Sequence, residues 1–118
     1  RGVSRGHLKI RDILRDNDFV WEEEYTFPDL VASSGRPLAF DFMVFDEDHN
    51  IDFAIEVNGE QHYEPVEAFG GPKKFARQKY NDNQKRLYCQ RHNIILIEIP
   101  YWELEEVNLD YIMEKAGI

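Results

Sequence analysis

The sequence has few of the features that mark secreted and membrane proteins. Cys89 is the single cysteine, so an intramolecular disulfide is excluded, and this fits a reducing, cytoplasmic setting. Its place in a predicted helix facing a sheet favours a core residue over a thiolate nucleophile. No apolar run approaches the roughly 18 to 20 residues that a membrane helix needs, and no charged-then-apolar signal peptide opens the chain. No membrane partner is therefore expected.

Signs of a divided chain are also missing. The sequence contains no internal repeat, no low-complexity segment and no domain linker. Its 118 residues suffice for one hydrophobic core but not for two. We therefore expect residues 1–118 to form a single domain. Because the first residue is Arg1 rather than methionine, we interpret this domain as a fragment of a longer chain.

Positive charge is scarce, since 14 basic residues against 23 acidic ones give a formal charge of −9. This balance disfavours nucleic-acid binding, because phosphate contacts need a basic surface. The distribution weakens the objection, since Asp82 is the one acidic residue between Pro72 and His92. The basic residues of that segment are Lys73, Lys74, Arg77, Lys79, Lys85, Arg86 and Arg91. A solvated helix face is the alternative interpretation.

Hydrophobic periodicity predicts the element order α-β-β-β-α-β-α. The predicted elements are a helix capped by Ser4 and ending near Asn17, strands at 20–27, 38–45 and 51–57, a helix at 73–91, a strand at 94–99 and a helix at 103–115. Pro28 and the SSGRP turn at 33–37 are expected to close the first strand. The strand at 38–45 is expected to alternate cleanly between its two faces. The long helix is indicated by helical spacing of four residues, Ala76, Tyr80, Asn83 and Leu87. The fold class is α/β, a mixed sheet flanked by helices.

Two carboxylates are predicted to face each other in the hairpin of the second and third strands. A four-residue loop at 47–50 places Phe45 opposite Asp52 and Asp41 opposite Glu56. Opposed side chains in an antiparallel pair have Cβ atoms roughly 4.5 to 5.5 Å apart. Like charges this close repel unless a cation lies between them, and carboxylate oxygens are ligands of Mg²⁺. Asp41 and Glu56 are candidate metal ligands, with a solvated sheet face as the alternative.

His62 follows the third strand closely. A histidine there can be a third metal ligand, a general base near neutral pH or a loop residue with a structural role. Asp82 would orient its imidazole if the basic helix packs over the end of the strand. An oriented imidazole beside a metal can deprotonate a water molecule.

The stretch IEVNGEQHY at 55–63, with Asp41 in the strand before it, resembles the core of the PD-(D/E)XK nucleases. Asn58 stands where that family has lysine. The chain is more closely similar to the very short patch repair endonucleases and, within them, to phage-type EDxHD homing endonucleases. The motifs that carry this resemblance are SRG at 4–6, LAFDF at 38–42, IEVNGEQHY, FGG at 69–71, an aspartate in a basic helix and IILIEIPYW at 94–102.

The resemblance implies a restriction-endonuclease-like fold and an endonuclease that cleaves double-stranded DNA with Mg²⁺ or Mn²⁺. Asp41 matches the metal-binding aspartate, His62 the histidine and Asp82 the final aspartate of the motif. Glu56 matches a variable position, so its ligand role rests on the hairpin geometry. His7 stands where the family has a first-helix glutamate, and it is a candidate catalytic-site residue that would bind a metal-bound water or contact a phosphate. The neighbouring acids that could partly compensate are Glu22, Glu23 and Glu24.

Further residues complete the predicted site. Lys73, Lys74 and Arg77 would grip phosphates together with the amides that follow the Gly-Gly-Pro turn. Gln61 is a candidate for positioning water, and Tyr63 for touching DNA. Additional DNA-binding domains are expected outside this fragment, and homodimerisation would decide between a nick and a double-strand cut. The enzyme would act in the cytoplasm, that of a bacterial host if a phage encodes it.

Two other functions stay open. A catalytically impaired nuclease-fold module would bind nucleic acid without cleaving it, and His7 and Asn58 are the features in its favour. The charge of −9 favours a protein-interaction domain, which would not bind DNA even at low salt.

Overall fold

The computed structural model describes residues 4–118. The main elements are α1 (Arg5–Asp16), β1 (Val20–Val31), β2 (Pro37–Phe45), β3 (Ile51–Asn58), α2 (Gly71–Arg91), β4 (Ile95–Pro100) and α3 (Leu109–Ala116). Short 3-10 helices lie at Glu60–His62, Glu67–Phe69 and Tyr101–Glu106. This order confirms the α-β-β-β-α-β-α prediction. Within the described range, no helix combines the length and apolar character needed to cross a bilayer.

The strands form one mixed sheet in the order β1-β2-β3-β4. The pairs β1–β2 and β2–β3 are antiparallel, whereas β3 and β4 are parallel, with Ile55 beside Ile97. Parallel neighbours need a crossover connection, and α2 lies in that connection. At the turn of the β2–β3 hairpin a register shift pairs Phe45 with Ile51. The predicted pairing of Phe45 with Asp52 is therefore wrong, because the shift adds a residue on one strand.

Helices cover both faces of the sheet. The core under α1 and α3 contains Phe42, Val44, Phe53, Ile55 and Ile97 among its buried residues. The core under α2 contains Phe40, Met43, Ala54, Tyr88 and Cys89. Cys89 is buried as predicted, and burial raises the pKa of its thiol to about 11. The thiol is therefore protonated and unreactive at neutral pH.

The strand β2 changes faces at Asp41. Phe42 belongs to the core under α1, whereas Phe40 belongs to the core under α2. Residues two apart on a regular strand point to the same side, so the predicted clean alternation of 38–45 is wrong at this point.

The strand β1 makes the same change opposite Asp41. Trp21 packs against the core under α1 and Tyr25 against the core under α2. Between them Glu24 has a φ of 53°, a left-handed conformation that few non-glycine residues adopt. Since Tyr25 pairs with Phe40, the register places Glu24 opposite Asp41. The two strands thus switch faces together at a pair of acidic residues.

Two predicted boundaries are wrong. The strand β1 continues through Pro28 to Val31, because β1 is an edge strand and an edge tolerates a missing N–H. The predicted helix over 103–115 is two elements, a 3-10 helix and α3. Asn108 caps α3 by accepting a 2.9 Å hydrogen bond from the backbone N–H of Tyr111, and this cap sets the start of the helix.

The helix α2 packs on the sheet with a partly charged face. The residues at helical spacing do not mark this face, since Ala76, Tyr80 and Asn83 are exposed and Leu87 is half-buried. The buried residues are Gly71, Asp82, Lys85, Tyr88 and Cys89. Two of these are charged, so the spacing of apolar residues does not identify the buried face.

Candidate functional site

Asp41 and Glu56 lie opposite each other toward the open end of the β2–β3 hairpin, as predicted. The pairing of Phe42 with Ile55 fixes this register. The backbone N–H of Asp41 donates to Oε2 of Glu56, and that of Val57 donates to Oδ2 of Asp41, both at 2.7 Å. Each carboxylate therefore binds a backbone amide of the opposite strand.

Glu56 is paired with a lysine from α2. Its Oε1 accepts a 2.7 Å hydrogen bond from Nζ of Lys85, and both side chains are nearly buried. Burial raises the pKa of Glu56 and the charge of Asp41 adds to the rise, while Lys85 counteracts both. Both oxygens of Glu56 thus have protein donors. The structure supplies a cation beside the two acids, as the charge argument required, but this cation is Lys85, and Glu56 is not grouped with the candidate metal ligands.

A different trio could hold a metal ion. His7, Glu24 and Asp41 each offer one ligand atom, and these atoms lie within 4.8 Å of one another. They come from α1, β1 and β2, and the face switch of the two strands brings the acids to this point. Two carboxylate oxygens suit Mg²⁺ or Mn²⁺, and an imidazole nitrogen shifts the preference toward transition metals. Carboxylate and imidazole donors of this kind are ligands of both Mg²⁺ and Mn²⁺.

His7 is held in one orientation. Its ring packs on Phe42 with centroids 4.3 Å apart, and Nε2 lies 3.0 Å from Oε1 of Glu23. Hydrogen bonds from Arg11, at 2.7 and 2.9 Å, lower the pKa of Glu23 to about 2. Because ionised Glu23 can only accept, Nε2 of His7 carries a proton, and in the neutral imidazole Nδ1 is the nitrogen with the lone pair.

The SRG segment explains why α1 reaches this site. Ser4 caps the helix, as predicted, by accepting a 3.1 Å hydrogen bond from the backbone N–H of His7. A Cβ on Gly6 would lie 2.7 Å from Cγ1 of Val57 and 3.3 Å from a methyl of Leu104. Glycine therefore lets the first turn of α1 pack directly on β3 beside Asp41.

His62 is oriented by Asp82, the contact that the sequence predicted. Nδ1 of His62 lies 3.0 Å from Oδ2 of Asp82, and Nε2 of Gln78 donates to Oδ1 at 3.0 Å. Burial of Asp82 opposes its ionisation, but the hydrogen bonds from His62 and Gln78 prevail and hold its pKa below the ordinary value. An ionised Asp82 accepts from Nδ1, so Nε2 of His62 is left to take up a proton.

The other predicted residues surround this pair. Gln61 precedes His62 in the 3-10 turn and lines a groove of about 570 Å³ along α2. The ring of Tyr63 packs on Trp102 with centroids 4.7 Å apart. Lys73, Lys74 and Arg77 are exposed on the first turns of α2.

Two residues of the site were not identified individually. Glu24 belongs to a run of three glutamates, and alternation alone does not show which of them enters the site. The left-handed backbone of Glu24 has no signature in the sequence. The position of Lys85 could have been found from the sequence, because it follows Asp82 by three residues and therefore lies on the same face of the helix. A buried aspartate implies that neighbours on that face are also buried.

Comparisons with known proteins find viral relatives. The chain is 34% identical over 71 residues to Uncharacterized protein 307L of Invertebrate iridescent virus 6, which covers 59% of this chain and 36% of that protein. It is 48% identical over 50 residues to Uncharacterized protein 094L of Frog virus 3, covering 41% and 32%. It is 40% identical over 52 residues to Uncharacterized protein 033L of Invertebrate iridescent virus 3, covering 43% and 27%. The matched segments span about a third of these relatives. No family model and no solved structure matches.

Proposed function

We propose that this chain is the catalytic domain of a metal-dependent endonuclease for double-stranded DNA, of the very short patch repair and homing type, with a restriction-endonuclease-like fold. One observation carries the proposal: a trio able to bind a metal and an oriented histidine adjoin the open end of one hairpin. Asp41 of the trio accepts from Val57, and His62 follows Val57 by five residues.

The trio His7, Glu24 and Asp41 would hold Mg²⁺ or Mn²⁺. When bound, such a cation would polarise the scissile phosphodiester and offset its developing charge. Nε2 of His62 takes the proton of a water molecule whose oxygen forms the new bond to phosphorus, while the bond to the leaving oxygen breaks and that oxygen takes a proton from solvent. Asp82 stabilises the imidazolium that results.

Two further groups of residues support this reaction. Glu56, fixed by Lys85, holds the backbone of Asp41 and so positions its carboxylate. The exposed cations of α2, Lys73, Lys74 and Arg77, supply the positive wall that a DNA backbone needs.

The test is nicking of supercoiled plasmid by the domain in Mg²⁺, Mn²⁺ and EDTA. We expect metal-dependent nicking that falls by about 100-fold or more in His62→Asn, the contribution typical of a general base. His49→Asn is the matched control, because His49 is exposed in the hairpin turn, and it should nick at the unaltered rate. Equal rates for the two variants, or nicking in EDTA, would contradict the proposal.

A second set of variants separates nuclease from binding module. His7→Glu restores the acid of the resembling family, and faster nicking would show that the natural residue impairs catalysis. Since His7 replaces that acid, a module that only binds DNA is the alternative function. Retention of DNA without metal, with no cleavage by the natural chain or by His7→Glu, would favour it.

A further inference from the structure

We propose that a groove between the β1–β2 turn and α2 binds the sugar–phosphate backbone of the DNA beyond the cleaved phosphate. This turn groove has a volume of about 850 Å³ and is lined by Ser33, Ser34 and Arg36 of the turn and by Lys74, Arg77 and Tyr80 of α2, among others. The choice of DNA as ligand rests on the proposed nuclease function, but the anionic character of the ligand does not.

The basic residues of the groove have no acidic partner on the protein. Between residues 4 and 118, Arg36, Lys74 and Arg77 form no ion pair, although the protein carries 23 acidic residues. Five cations elsewhere in that range pair with carboxylates: Arg5, Arg11, Arg15, Lys85 and Arg86. Five more are also unpaired but do not line the groove: Lys9, Lys73, Lys79, Arg91 and Lys115. In an acidic protein, three unpaired cations around one groove indicate a surface for an external anion.

The residues that line the groove have the chemistry of phosphate contacts. Among the described residues, none that lines the turn groove or the groove beside Gln61 is acidic. Hydroxyls of Ser33 and Ser34 and the amide of Asn81 stand beside the cations of the turn groove. Arginine, lysine, serine and asparagine are the side chains that contact phosphate oxygens without distinguishing bases. The composition therefore predicts backbone contacts rather than recognition of a base sequence.

The groove is continuous with the surface beside the candidate catalytic histidine. The turn groove and the groove beside Gln61 share Lys74, Arg77 and Gln78 as a common wall. Gln78 also donates to Asp82, the residue that orients His62. A strand whose phosphate lies at His62 can therefore follow this wall into the turn groove, where Arg36 is the cation on the far side.

The experiment is fluorescence anisotropy of a labelled duplex DNA in EDTA, over salt concentrations from low to physiological. Arg36→Gln is compared with Arg91→Gln, which removes the same charge from an exposed residue at the other end of α2. We expect Arg36→Gln to weaken binding about 3- to 10-fold and to reduce the slope of log Kd against log salt by about 0.9, the value for one lost phosphate contact. Arg91→Gln should leave the slope unchanged.

Two controls keep the result specific. Thermal melting should show the same midpoint for both variants, because neither arginine side chain contacts a described carboxylate. Nicking at saturating DNA should proceed at the natural rate in Arg91→Gln, because Arg91 is outside the catalytic pair, the trio and both grooves.

Three outcomes would overturn the groove assignment: equal effects of the two variants, no binding by the natural chain at low salt, or tighter binding of an RNA duplex of the same sequence. Because binding is measured without metal, this experiment tests the groove independently of the nuclease proposal. A natural chain that binds through Arg36 but never nicks would uphold the groove and reject the catalytic function.

Discussion

The two ends of the β2–β3 hairpin carry the same acidic residue types in opposite surroundings. At the turn end Asp46 is exposed, and its Oδ1 accepts 2.9 Å hydrogen bonds from the backbone N–H groups of Asp48 and Asn50. At the open end Asp41 and Glu56 also accept backbone N–H groups, but Asp41 is half-buried and Glu56 is buried. Local hydrogen bonds and water satisfy the turn acids, whereas a buried carboxylate needs a partner brought by another element.

The partners at the open end come from far along the chain. Lys85 is 29 residues from Glu56, and His7 reaches Asp41 from α1. An exposed pair such as Arg5–Glu105, whose side chains are 85% and 87% exposed, contributes about 0 to 1 kcal/mol. Breaking a buried pair is far more costly, so the open end depends on tertiary structure in a way that the turn does not.

The largest effect is expected from Lys85→Met. This change leaves the Glu56 carboxylate buried without its cation, and we expect the free energy of unfolding to fall by about 3 to 5 kcal/mol. Urea denaturation at neutral pH measures it. Arg5→Met, which breaks the exposed pair, should cost less than about 1 kcal/mol. Similar losses in the two variants would remove the energetic distinction between buried and exposed acids.

Asp41→Asn tests the open end as a metal site. The amide keeps an oxygen for the N–H of Val57 but loses the negative charge, so Mn²⁺ affinity, followed by electron paramagnetic resonance, should drop about 10- to 100-fold. Asp48→Asn makes the same chemical change at the turn end and should leave the affinity unaltered. Unchanged Mn²⁺ binding in Asp41→Asn would refute the trio.

The pH dependence of stability should distinguish Glu23 from its exposed neighbour Glu22. The pKa of Glu23 is lowered to about 2 from an ordinary 4.5, so its contribution is present above pH 4.5 and is lost as the pH falls toward 2. The free energy of unfolding of the natural chain should fall by on the order of 1 kcal/mol over this window because of Glu23, after screening by solvent. Glu23→Gln should not show this fall. Glu22→Gln should retain it. Urea melts from pH 2 to 6 give the profiles, and identical profiles for the two variants would count against the Arg11–Glu23 contact.

The smallest effect is expected at the turn end. Glu47→Gln and Asp48→Asn remove charges from exposed side chains, and each should change the free energy of unfolding by less than about 0.5 kcal/mol. Urea denaturation is again the measurement. A larger loss would mean that the turn acids also have structural partners.

How far the sequence predicts this molecule depends on the range of the interaction. Hydrophobic periodicity was enough for the order of elements along the chain, because it depends on neighbouring residues. The opposition of Asp41 and Glu56 was also predicted, and it holds although a register shift lies nearer the turn, between Val44 and Phe45. The contact of His62 with Asp82 was predicted from chemical need and resemblance together. The buried face of α2 was not predicted from apolar spacing. It includes Asp82 and Lys85, which are buried with polar partners, and a hydrophobic pattern does not detect such residues.

The face switch at Glu24 and Asp41 was likewise beyond prediction, since it depends on a backbone conformation of one glutamate. Regular alternation would give Phe40 and Phe42 a common side, and only the two separate cores show that they part. The trio therefore could not be predicted from the sequence, although each of its members lies in a segment that the sequence had indicated as part of the site.

The shared switch of β1 and β2 also ties the acids to the two hydrophobic layers. Sliding one strand past the other by a residue would separate Glu24 from Asp41 and would also turn Phe40 and Phe42 out of their cores. A slipped register would thus disrupt the packing of both hydrophobic layers at once. The cooperativity of the whole sheet therefore maintains the spacing of these carboxylates.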